Sequence, residues 1–205
     1  MRTQVIISAA AAALALVACN KNGGTAPAAV DNANNAVASS SPPVAGAQDA
    51  AAGAVGQVSA LATTTAQGFV TAAATSDMYE IAAAKIAEQK SHNPQVKQFA
   101  AKMIHDHTAS TAALKKVLAG NANLQAPTEL DERRKGMINN LNAAGANFDK
   151  TYMDQQVAAH EEAVSLLQGY QSKGDNADLK AFAAKILPTV QGHLDMAKQI
   201  DAGLK

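Results

Sequence analysis

Part of this chain occurs twice, and that repetition constrains its fold more than any other feature. Residues 93–103 read NPQVKQFAAKM and residues 176–186 read NADLKAFAAKI, identical at six of eleven positions (Asn93/Asn176, Lys97/Lys180, Phe99/Phe182, Ala100/Ala183, Ala101/Ala184 and Lys102/Lys185). Val96 against Leu179 and Met103 against Ile186 exchange one apolar residue for another. A match of this length in 205 residues points to a duplicated supersecondary unit. Each copy opens on an asparagine suited to cap a helix, followed by apolar residues at helical spacing. Two copies of a helical hairpin make a four-helix bundle, whose core is a place where polar groups can converge.

The spacing predicts a first helix from about Thr64 to Ser91, with Thr63, Thr64 and Thr65 as candidate caps. Asn93-Pro94 opens a second, which stops near Gly120-Asn121. Thr128 is the expected cap of a third over 128–143, with acids in its first turn, and Gly145 interrupts it. A longer helix runs from about Asn147 to Lys173, and a last one from Ala177 to about Ala202 with a kink expected at Pro188. No segment alternates as a half-buried strand does. Alanine dominates, aromatics are few and tryptophan is absent, which suits closely approaching helices. The repeat pairs 64–119 and 147–202 as hairpins. The 128–143 segment spans roughly 24 Å, enough to climb back along them. The expected fold is all-α: a ferritin-like four-helix bundle of two repeated hairpins joined by a helical crossover, with the hairpin turns at opposite ends.

The segments FVTAAATSDMYEIAAAKIAEQKSHNPQVKQFAAKMIHDHT, FDKTYMDQQVAAHEEAV and LKAFAAKILPTVQGHL carry a resemblance. In order they present Glu80, Met103 with Asp106-His107, Phe148-Asp149, His160-Glu161, Leu187-Pro188 and His193. This order resembles the bacterial envelope family called domain of unknown function 4142, over about residues 69–198. The resemblance implies a ferritin-like helical domain behind a signal or lipoprotein peptide, and no established reaction.

The N-terminus reads as an address. Arg2 is its one basic residue, and an uncharged stretch from Val5 to Val17 follows, too short for a stable membrane span. Leu16-Val17-Ala18-Cys19 resembles the lipobox of bacterial lipoproteins, in which the cysteine becomes the lipidated N-terminus. Cys19 is the only cysteine, and a thioether needs a thiol at that position. A plain signal peptide is the alternative. Asn20 after the cysteine, in place of aspartate, suggests an outer-membrane lipoprotein facing the periplasm, with the membrane as partner through lipid on Cys19. Residues 20–62 read as a disordered tether of Ala, Gly, Ser, Asn, Pro and Val, leaving 63–205 as the folded domain. Seventeen basic residues balance seventeen acidic ones, and no basic patch suggests nucleic acid.

Each long helix carries one metal-capable residue at a core-type position: Glu80, His107, His160 and His193. At about 1.5 Å per residue the first three share a layer near mid-bundle, and His193 falls about one turn away. One carboxylate with two or three imidazoles suits a transition metal ion. No Glu-x-x-His occurs, so a ferritin-type di-iron centre is not expected. The reading to be preferred is a buried hydrogen-bond network, with Glu80 accepting from His107 and His160, that fixes helix register and binds nothing. A metal-binding or redox protein and a non-enzymatic envelope-binding or stress-protection protein are thus the competing readings. His92 and His105 read as solvated, and Tyr79, Tyr152 and Tyr170 as packing residues. There is no Gly-x-Ser-x-Gly and no phosphate loop.

Overall fold

The computed structural model describes residues 60–204. The expected signal peptide, Cys19 and the tether as far as residue 59 lie outside the described residues. Six α-helices follow in order: α1 Ala60–Thr64, α2 Ala66–Lys90, α3 Pro94–Ala119, α4 Glu132–Ala143, α5 Phe148–Lys173 and α6 Ala177–Gly203. A 3-10 turn, Gly145–Asn147, precedes α5. Among the described residues there is no strand, and no helix is long and apolar enough to cross a membrane.

The caps explain where these helices begin. Of the three candidate threonines, Thr65 caps α2 by accepting from Gly68 N. Asn93 Oδ1 accepts from Gln95 N at 2.9 Å and Val96 N at 3.5 Å, and Asn176 Oδ1 accepts from Leu179 N at 3.0 Å. The asparagine that opens each copy of the repeat is therefore a helix start. At α4 the expectation fails: the cap is Asp131, whose carboxylate accepts from Arg134 N and also holds the Arg134 guanidinium at 2.7 Å, and Thr128 lies outside the helix. A carboxylate that pairs with a basic residue of the first turn outcompetes a lone hydroxyl three residues earlier. Gly145 takes a positive φ of 55°, which breaks α4 from α5. α6 runs through Pro188 as one helix, the proline ring lying on an exposed face.

Side-chain pairs fix how the helices lie. Phe69 stacks on Tyr170 at one end of α2 while Tyr79 Oη donates to Gln155 further along, so α2 and α5 are antiparallel neighbours. His193 meets Asp106, and Asn176 meets Asn121, so α3 and α6 are antiparallel too. The heaviest packing is within the hairpins, α2 with α3 and α5 with α6. The α4 segment lies on α2 and α5, tied by Lys90 to the Asn142 carbonyl, Gln155 to the Met137 carbonyl, and Arg133 to Glu162. α1 packs on α5 at Gly169, where a β-carbon would come within 2.6 Å of Thr63.

The interior is two apolar clusters rather than one. Phe69, Val70, Leu114, Leu167, Tyr170, Leu179 and Phe182 anchor the first. Tyr79, Phe99, Met103, Leu141, Tyr152 and Met153 anchor the second. The repeated phenylalanines divide between them: Phe182 packs edge-on against Phe69, and Phe99 edge-on against Tyr152. Between the clusters lies a buried polar layer of Asp77, Glu80, His107, Gln156, His160 and His193.

Candidate metal centre

Each helix delivers its polar residue to this layer through helical periodicity. His107 is on the buried stripe of α3 that includes Val96, Ala100, Met103 and Leu114; His160 and Val164 share a stripe on α5, and Ala197 and Ile200 continue the His193 stripe on α6. All three imidazoles are at most 4 % exposed. Their ring centroids are 5.7 Å (His107 to His160), 5.5 Å (His107 to His193) and 5.4 Å (His160 to His193) apart. One ring nitrogen from each lies within 4.8 Å of the others.

His193, expected about one turn away, is thus part of the same cluster. The reason is side-chain direction. A helical side chain leans toward its own N-terminus. Because α3 and α6 are antiparallel, His107 and His193 lean toward each other's level and close the gap that their Cα positions leave. Glu80 is placed differently. Its carboxylate is 1 % exposed but lies on the outer side of His160, with Oε1 3.9 Å from His160 Nδ1, and it does not belong to the set of three.

The outer nitrogen of each imidazole is already committed. His107 Nδ1 is 2.8 Å from Asp77 Oδ1, whose other oxygen accepts from Thr111 Oγ1. His160 Nδ1 is 2.8 Å from the Gln156 carbonyl oxygen, and His193 Nε2 is 2.8 Å from Asp106 Oδ2. A carbonyl can only accept, so His160 carries its proton on Nδ1. An ionised carboxylate imposes the same on His107 and His193: proton outward, lone pair inward. The inward atoms are His107 Nε2, His160 Nε2 and His193 Nδ1, and each is buried without a hydrogen-bond partner. The three unpartnered nitrogens therefore gather around one small space. Left as they are, they repel; a cation among them satisfies all three. Imidazoles held from behind by carboxylates or carbonyls are the arrangement that fixes ring orientation and raises basicity at metal sites.

The electrostatics favour neutral, ligand-like imidazoles at His160 and His193 and a more basic one at His107. Burial pulls His160 down to about 3 and His193 down to about 4, so both are neutral near pH 7. Burial also acts against a charge on His107, but the Asp77 hydrogen bond and the nearby Glu80 and Asp77 charges outweigh it and raise that group above the usual imidazole range. Asp106 is drawn well below the carboxylate range, its partial burial outweighed by hydrogen bonds from Lys102, His105 and His193. Burial pushes Glu80 up to about 7. Tyr79 and Tyr152, chiefly through burial, are raised well above the phenol range.

Three residues that brace the imidazoles escape a reading of the sequence. Asp77 is three before Glu80, one turn away on the same face of α2, and that spacing was its available signal. Asp106 reads as the polar flank of His105-Asp106-His107, yet from the edge of α3 it reaches across to α6. Gln156, fully buried, supplies its backbone carbonyl to His160, which no residue type announces. His92 and His105 are exposed, as expected, although His105 Nδ1 lies 2.7 Å from Asp106 Oδ1. The three tyrosines are buried packing residues.

Comparison with known proteins follows the same helices. The model of a family described as Domain of unknown function (DUF4142) matches residues 47–200. No curated protein matches the chain. Two solved structures share the fold. One is titled "CopM in the Cu(II)-bound form", with a TM-score of 0.59 and 19 % identity, covering 69 % of this chain and 98 % of that one. The other is a DUF305 fragment from Deinococcus radiodurans, with a TM-score of 0.59 and 11 % identity, covering 72 % of this chain and 99 % of the fragment.

Proposed function

Since this chain belongs to the DUF4142 family, whose name leaves the biochemical role open, we propose from the geometry that it is a metal-binding protein of the bacterial envelope. His107, His160 and His193 hold one transition metal ion, with copper the first candidate. The observation that carries this reading is the convergence of three buried, unpartnered imidazole nitrogens, each ring braced from behind. Such a layer is costly as a mere register device, because unpaired buried acceptors destabilise the fold. Neutral imidazoles suit copper, zinc, iron and nickel, and copper binds most tightly in the divalent series. The Cu(II)-bound title of one structural neighbour agrees with that order. Glu80 serves behind His160 rather than at the ion.

The reading includes a ferritin-like order of the four long helices, with α4 in the crossover. It also includes a signal peptide ending at a lipidated Cys19, a tether, and an outer-membrane anchor facing the periplasm. The lipobox and Asn20 support these last points, and Cys19→Ser should release the protein from membranes; persistent attachment would refute the anchor.

Metal analysis tests the site. The full chain, purified without a His-tag, should bind about one copper ion with affinity tighter than about micromolar. His107→Ala and His160→Ala should each abolish it. If no metal binds more tightly than that, the layer is a structural network only.

A further inference from the structure

Resting on the three-histidine reading, we propose that the ion keeps an open coordination position facing the α3–α6 groove, and that this position takes a small anion from outside. A cavity of about 190 Å³ lies between the two helices, and both His107 and His193 form part of its wall. That exceeds by far the ~30 Å³ share of one liquid water. The cavity exists because α3 places small residues, Ala109 and Ala113, opposite Ile186 and Thr189 of α6. Ala109 and Thr189 are exposed, so the groove opens to solvent beside a buried cluster.

Three protein ligands are the number that leaves a position for an exogenous one. Among the described residues no fourth histidine, cysteine or carboxylate joins the three. Glu80 lies behind His160, Asp77 and Asp106 are spent on the outer nitrogens of His107 and His193, and the edge of Phe99 packs against His160. Apolar clusters close the layer from both ends of the bundle. The groove is the remaining direction; its wall is mostly apolar and carries the polar groups of Ser110, Thr189, Lys185 and Asp106. Lys185 forms no ion pair among the described residues, whereas Lys102 nearby is held by Asp106 at 2.7 Å. The Asp106 carboxylate on this wall is already held by Lys102 and His193, so the free ammonium, two hydroxyls and the metal's own charge select a small anion of a few atoms.

The test titrates sodium azide into the full, untagged chain loaded with one equivalent of Cu(II), following azide-to-copper charge-transfer absorption. Wild type should show a saturable new band. Ala113→Phe fills the groove without touching a ligand and should raise half-saturation by about tenfold or more at unchanged copper affinity. Thr189→Leu, at an exposed position, does the same should the larger side chain at 113 disturb folding. If copper binds and azide leaves the spectrum unchanged, the open position is wrong while the three-histidine site stands. An azide response equal in wild type and both variants would refute the groove as its route. Failure to bind copper would overturn both.

Discussion

At the scale of single residues, the atoms that decide the site are those behind the imidazoles. Asp77 holds His107 by its outer nitrogen, and the carboxylate charge keeps the proton on that side. Asn in its place could turn its amide toward Nδ1 and hold the wrong tautomer. Asp77→Asn should therefore weaken copper binding about 10- to 100-fold. Thr111→Val, which removes only the second bond to Asp77, should cost much less. Competition titration against a chelator of known affinity measures both, and an unchanged affinity in Asp77→Asn would remove Asp77 from the site. The three histidines were legible in the sequence because each falls on an apolar helical stripe. Their orienting partners were not, because a carboxylate near a histidine looks the same whether it faces solvent or the neighbouring helix.

At the scale of helices, the repeat was legible down to its caps, since Asn93 and Asn176 do the same work in both copies. The copies differ in surroundings. Asn176 Nδ2 also donates to Asn121 Oδ1 at 2.9 Å, joining α6 to the end of α3. Asn93→Ala should destabilise the fold by about 1 kcal/mol, the usual loss of a cap. Asn176→Ala should cost more, because it breaks the inter-helix bond as well. Chemical denaturation gives both values, and equal losses would show that the Asn121 bond contributes nothing. The expected start of α4 at Thr128 differs from the observed one because Thr128 and Asp131 are both cap-type residues only three positions apart. The pairing of Asp131 with Arg134 in the first turn selects it, and Arg134 is in turn held across to α5 by Glu162.

At the scale of the molecule, the buried layer sets how the metal-free protein responds to acid. His160 and His193 are held at about 3 and about 4 mainly by burial, so below about 6.5 the unfolded chain takes up two protons that the folded chain refuses. Glu80, raised to about 7 by burial, works the other way, binding a proton when folded that it lacks when unfolded down to about 4.5. His107, raised, adds stability that is complete below about 6.5 and is lost as pH rises through its folded value, so it is constant in this window. Two imidazoles against one carboxyl leave the unfolded state one proton richer. Stability should fall by about 1.4 kcal/mol per pH unit between pH about 6.5 and 4.5. Urea unfolding across that range measures the slope, and His160→Gln should flatten it; a slope unaltered by that change would disprove the assignment.

The division of the interior into two apolar clusters has a consequence for cooperativity. Among the described residues Val157 alone packs against both clusters, so loosening at one end is transmitted to the other chiefly through helix backbones, that valine and a few imidazole and carboxylate contacts. The metal-free chain then has two halves able to exchange their amides on separate clocks. An ion bound to α3, α5 and α6 at once would clasp the plane where they part, and the halves would open together or not at all.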